Sequence, residues 1–433
     1  MTTLFRARIF TLIDDPFHRT GETTWRYFED GYLAVDGALI TGVGDWAYRP
    51  EKRANDEIVD LGPTHLISPG FVDTHLHAPQ LEMIGSYGGQ LLEWLNRYTF
   101  PTEMKFADTD HAQEIAVEIY EELLSHGTTT ALIFSTIHAE ATEIFFEEAA
   151  RRGFRAIIGK VMMDRNAPDG LLEDPEESAR QSRAILETWH GQGILQYAIT
   201  PRFAPTSSER LLELAGELKA DFPNVYVQTH ISENIPEIKW VRELFPLDES
   251  YAGVYDRFGL LDERTILAHG VHLSDAELDL IAERGAKIAH CPNSNLFLGS
   301  GLFPLQRVSA HKISFGLGSD IGAGTTPSII SAMADAYKVQ QVLDLSLSPF
   351  ELWYLATLAG ARILSLDDVI GSLEEGKDAD FIILDLEATR LLSYRTRQAE
   401  RLQDLLAGCI FIGDDRVVEQ SWIRGEKVYE RRS

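Results

Sequence analysis

His75 and His77 stand one residue apart in the run Phe71-Val72-Asp73-Thr74-His75-Leu76-His77. On an extended strand alternate side chains share a face, so two imidazoles at this spacing can grip one cation. Alone, such a pair is a weak sign. Further along, His230 closes Gln228-Thr229-His230, His269 closes Ala268-His269 before Gly270, and Asp320 closes Gly318-Ser319-Asp320. Each has an ordinary explanation by itself: a satisfied core histidine, a strand end, a helix cap. Each also follows an apolar run of strand length. Histidines and one carboxylate at matching strand ends make a nitrogen and oxygen donor set suited to zinc, and one that also accepts iron or manganese.

The elements that must position these groups can be read from periodicity. Strands are predicted at His65 to His77, Thr128 to Phe134, Arg155 to Met162, Leu195 to Phe203, Val225 to Ser232, Thr265 to His269, Ala286 to Cys291 and Ile313 to Asp320. Amphipathic helical stretches lie between them, including Asp110 to Ser125, Ala139 to Arg152, Ser207 to Ala220 and Ser274 to Arg284. Parallel strands need helical crossovers, so this alternation predicts a (β/α)8 barrel, whose chemistry sits at the C-terminal strand ends. Short strands appear at both ends of the chain: Leu4 to Ile13, a hairpin around Asp36-Gly37, Asp380 to Leu386, and Ser421 to Tyr429 with a turn at Gly425-Glu426. They predict a small β-sandwich domain assembled from both termini. The expected division is 1–66 and 374–433 for that domain and 67–373 for the catalytic barrel. The longest break, Pro79 to Phe106, reads as a loop at the barrel mouth, with Gly85, Gly88 and Gly89 giving it flexible backbone to close over a substrate.

Composition narrows the partners. The 433 residues carry a formal net charge of -28, which repels phosphate backbones and anionic membranes, so neither nucleic acid nor membrane is an expected partner. A small neutral or weakly charged substrate is favoured instead. Two cysteines, Cys291 and Cys409, do not make a disulfide framework, and the first residues, interrupted by Asp14 and Asp15, do not read as a leader. The expected location is cytoplasmic.

The ordered set His75, His77, His230, His269 and Asp320 resembles the amidohydrolase superfamily. Pro69-Gly70-Phe71-Val72-Asp73, Gly127-Thr128-Thr129-Thr130 and the stretch Gly371 to Asp380 fit the same pattern. Several runs are similar to the guanine deaminases within it: His75 to Gln80, Leu91 to Leu95, Tyr98-Thr99-Phe100-Pro101, Thr200-Pro201-Arg202-Phe203, Ser232-Glu233-Asn234, and His290 to Asn295. The resemblance implies that His75, His77, His230 and Asp320 hold one zinc ion, with iron as an alternative, and leave a position for water. Asp320 and His269 would orient and deprotonate that water, and Glu233 would shuttle protons. No lysine ends the fourth strand to bridge a second ion, so one ion per chain is expected; Lys160, near the end of the third strand, reads as structural. For a purine base, Arg202 suits the oxo group, Gln80 offers a donor and an acceptor, and Phe203, Leu92 and Trp94 suit the ring faces. The implied reaction is hydrolysis of guanine to xanthine and ammonia, by a homodimer. The alternative is a related deaminase or hydrolase acting on 8-oxoguanine, a pterin, a triazine or cytosine.

Overall fold

The computed structural model describes residues 2–19 and 23–432. The first four strands are β1 (Thr2–Leu12), β2 (Trp25–Asp36), β3 (Leu39–Asp45) and β4 (Glu57–Pro69). Those of the middle are β5 (Phe71–His77), β6 (Thr128–Phe134), β7 (Arg155–Gly159), β8 (Val161–Met162), β9 (Gln196–Pro201), β10 (Tyr226–Ile231), β11 (Thr265–His269), β12 (Lys287–His290) and β13 (Phe315–Leu317). The chain ends with β14 (Phe381–Asp385), β15 (Val418–Ile423) and β16 (Glu426–Glu430).

β5, β6, β7, β9, β10, β11, β12 and β13 pair side by side in that order, all parallel, and the two-residue β8 prolongs the edge of β7 against β9. The outer strands meet and bring the sheet nearly to closure as a barrel: Thr74 Oγ1 donates to Leu317 O at 2.8 Å, and Asp320 N donates to His75 O at 2.9 Å. Close packing is enforced by glycine at the seam. A Cβ on Gly318 would sit 3.0 Å from the His75 Cβ and 3.1 Å from Cys291 Sγ. Helices cover the outside, with starts and stops written in the sequence. Ser274 and Glu277 cap the helix Asp275–Arg284 reciprocally, and Gly153 ends Ala139–Arg152 with a left-handed φ of 65°.

The two termini meet in one separate mixed sheet of seven strands, in the order β16-β15-β14-β4-β1-β2-β3. Arg155 at the start of β7 anchors this sheet's return segment to the barrel, donating through Nε to Asp380 at 3.0 Å and through Nη2 to Asp378 at 2.6 Å.

Three expectations change in detail. The apolar run His65 to His77 is two strands in two sheets, broken at Gly70, where a Cβ would lie 2.1 Å from Thr129 Oγ1. The hairpin turns fall one residue from their expected places, at Gly37-Ala38 and Arg424-Gly425. The stretch Pro79 to Phe106 is largely a strap of short helical turns: Ala78–Met83, Leu91–Trp94, Leu95–Thr99, Phe100–Glu103 and Met104–Ala107.

Candidate active site

The barrel strands deliver their end residues to one point. His75 and His77 leave β5, His230 leaves β10, His269 ends β11, and Asp320 follows β13. His77 Nε2 lies 3.0 Å from His230 Nε2, with the two rings nearly parallel. Asp320 Oδ1 is 3.3 Å from His75 Nε2 and 3.6 Å from His77 Nε2. Burial, followed by the neighbouring imidazoles, holds His77 and His230 well below the usual histidine range; for His75 burial and then His269 do the same. All three are therefore neutral near pH 7. Two neutral ring nitrogens facing each other at 3.0 Å, beside a buried His75 Nε2 with no hydrogen-bond partner, form a donor set turned inward on a common centre. The remaining ring contacts fix tautomers: His230 Nδ1 is 2.6 Å from Arg202 O and His269 Nδ1 is 3.0 Å from Asn295 Oδ1, so each donates there and keeps Nε2 for the centre.

The donors overlap in more than one grouping. The ligand atoms of His75, His230 and His269 lie within 4.8 Å of one another, and so do those of His75, Cys291 and Asp320. Cys291 Sγ donates to Ala289 O at 3.6 Å, which engages the thiol outside the imidazole–carboxylate set, and burial pushes that thiol well above its usual range. The carboxylate and imidazoles therefore fit a borderline divalent cation, and Cys291 packs behind them.

Backbone conformation at these ends is unusual. Ser232, His269 and Asp320 have φ of 48°, 73° and 51°, a left-handed region that side chains other than glycine's seldom occupy. Such strain persists where surrounding structure fixes it, and two of the three, His269 and Asp320, line the cavity.

That cavity is lined by His77, Gln80, Trp94, Arg202, Phe203, His230, Glu233, His269 and Asp320, together with Leu91, Leu95, Glu237, Leu298 and Ala323. Glu233 Oε2 is 3.5 Å from His269 Nε2, and Ser300 Oγ donates to Glu233 Oε1 at 2.9 Å. Burial, reinforced by the charge of Asp320, raises the Glu233 carboxyl to about 8. Asp320 is also raised, again chiefly by burial. Gln80 and Arg202 sit on the opposite wall and converge on Glu103.

One expected contact is displaced. Leu92 does not line this cavity; it lines an outer groove with Leu95, Asn96, Phe100 and Trp240. Leu91, Trp94 and Leu95 follow helical spacing and share the inward face, which leaves Leu92 a turn of about 100° away. Lys160 is likewise outside the cavity, in a buried pair with Glu173.

The sequence reading missed Glu237 and Glu103. Glu237 accepts the backbone N–H groups of Glu233 and Asn234 at 2.9 and 3.0 Å and the Tyr251 hydroxyl at 2.8 Å, fixing the loop that carries Glu233. Asn234 followed three residues later by Glu is a helix-start pattern that could have flagged it.

The chain matches the amidohydrolase family over residues 66–428. It is 45% identical over 406 residues to a guanine deaminase of Escherichia coli, covering 94% of this chain and 92% of that one. A solved E. coli guanine deaminase superposes with a TM-score of 0.95 at 41% identity over the whole of both chains. A guanine deaminase of C. acetobutylicum, solved with guanine bound in its active site, superposes with a TM-score of 0.90 at 32% identity, covering 99% of this chain and all of that one.

Proposed function

Because the chain belongs to the amidohydrolase family and, within it, to the guanine deaminases, we propose that it hydrolyses guanine to xanthine and ammonia. The observation that carries this reading is the meeting, in one buried cavity, of the His77–His230–Asp320 cluster, the carboxyl of Glu233 and the Gln80–Arg202 pair. His75, His77, His230 and Asp320 would hold one divalent cation, zinc by donor type, with iron as the alternative. When bound, such an ion lowers the pKa of a coordinated water from roughly 16 to about 7 and so supplies a nucleophile at neutral pH.

The protein's own groups do the rest. Gln80 and Arg202 bind one edge of the base, and Trp94 and Phe203 pack against the ring. Asp320 and His269 face the same point and orient the attacking water, with Asp320 accepting its proton. Glu233, held protonated near pH 7 by burial, gives a proton to the ring nitrogen beside the attacked carbon, so that negative charge does not build there. The amine then takes the proton that Asp320 accepted and leaves as ammonia; as the C–N bond breaks the added hydroxyl becomes the new ring oxo group, and its proton returns to Glu233. The enclosing strap excludes bulk water and strengthens these interactions.

A purine base is the partner, with no role for nucleic acid. Among the described residues no helix is long and apolar enough to cross a membrane. The reading includes a cytoplasmic location, which two cysteines in so long a chain favour, and a homodimer, which the guanine deaminase resemblance implies. The test is ammonia release from a panel of guanine, 8-oxoguanine, a pterin, a triazine and cytosine, with and without a chelator. Chelator-sensitive release from guanine above the others supports the reading, and release from another ring in preference overturns it.

A further inference from the structure

Glu103 lies in the strap, 1% exposed, far in sequence from Arg202. Its Oε1 and Oε2 accept Arg202 Nη1 at 2.9 and 2.8 Å, and its Oε1 also accepts Gln80 Nε2 at 2.8 Å. One carboxylate thus holds the two polar groups of the recognition wall, one from the turn after β5 and one from the end of β9. Among the described residues the Arg202 guanidinium donates to nothing else, which leaves Nε and Nη2 as donors. Gln80 has committed one of its two amide N–H groups to Glu103, which fixes which end of the amide is oxygen; that oxygen takes only a long 3.4 Å contact from Gly322 N and remains free to accept.

We infer that Glu103 is a positioning residue that sets the polarity of substrate recognition: it aims Arg202 and fixes the Gln80 amide so that the wall presents donors beside an acceptor. That pattern complements a lactam edge, a ring oxo group next to a ring N–H. A free glutamine amide can flip and offer either end; one tied by an N–H to a carboxylate keeps its oxygen in one place as an acceptor. A free buried arginine would also lack the partner that neutralises it and holds its plane. Because Glu103 belongs to the strap, the recognition wall is complete only when the strap is seated on the barrel.

The inference rests on the guanine reading, so the test separates the two. Guanine kcat and KM are measured for the wild type, Glu103→Gln, Arg202→Ala and the double variant, with metal content and unfolding temperature read on each. If the wild type releases no ammonia from guanine, the functional reading fails and this inference with it. If the wild type is active, Glu103→Gln is expected to keep its metal and lose about 100-fold in kcat/KM, the order of loss that misplacing a binding group causes. In the Arg202→Ala background the same change is expected to cost far less, because its effect passes through Arg202. A wild-type kcat/KM for Glu103→Gln, or a loss that adds in full to that of Arg202→Ala, overturns the inference while leaving the functional reading intact. Should Glu103→Gln not fold, the same cycle with Glu103→Asp, which keeps the charge but draws it back by one methylene, is read by the same two outcomes.

Discussion

The two halves of this site are built differently. The half proposed to hold the cation hangs from strand ends locked by neighbouring strands: Asp320 N bonds to His75 O, and His230 Nδ1 is tied to Arg202 O. The recognition half is shared between strand ends and the strap of short helical turns from Ala78 to Ala107, joined by side chains alone at Glu103. A strand end leaves a side chain two directions to point, and pairing chooses one. A short helical turn leaves several, and only packing chooses among them. The first half should therefore fail as a unit when any donor is removed, whereas the second should fail by degrees.

The largest effect should come from breaking the strand-end half. His77→Ala removes one of two facing donors, and both metal content and ammonia release are expected to fall to background. Retention of a full metal complement would show that His77 is not part of the centre. Next, Glu233→Gln should keep the metal and lower kcat by about 10²- to 10⁴-fold, the usual worth of a positioned acid–base group. Metal analysis beside single-turnover rates checks both parts.

The strap should respond more mildly and with helical phase. Trp94→Ala, which empties an inward position, is expected to raise KM for guanine and to cost about 3–5 kcal/mol of stability. Leu92→Ala, one residue away in the chain but facing the outer groove, should leave KM near the wild-type value. Equal effects of the two would mean that the strap's phase is misassigned.

The smallest effect is a pH dependence of stability in metal-stripped protein. A carboxyl raised from about 4.5 in the unfolded chain to about 8 in the fold binds its proton more tightly when folded. Its contribution is complete below the unfolded value and lost as pH rises through 8. The unfolding temperature of the stripped wild type should accordingly fall between about pH 5 and 8 by more than that of stripped Glu233→Gln. Parallel curves for the two proteins would place the proton elsewhere.

The same contrast explains what could be read from the sequence. β11 is the strand Thr265–His269 as read, and the helix Ala139–Arg152 matches to the residue, because short apolar runs and capped amphipathic periods are local signals. The barrel follows from their alternation. The break at Gly70 was hidden because β4 and β5 are both largely buried where they meet, so the apolar run continues across it. The strap was read as a loop because four- to six-residue turns are too short to show a period. Leu92 was misplaced for that reason. Glu103 carried no local sign at all, since its partners lie 23 and 99 residues away. Glu237, by contrast, left a readable helix-start pattern.

Side chains spread from His75 to Asp320 are proposed to converge on a single cation that makes guanine hydrolysis possible. The most direct test is to strip the purified protein with a chelator, titrate zinc back, and follow guanine turnover by ultraviolet absorbance against metal bound per chain. The expected result is no turnover without metal and a linear rise that saturates at one ion per chain. Full turnover by the stripped protein, or saturation only at two ions, would contradict it.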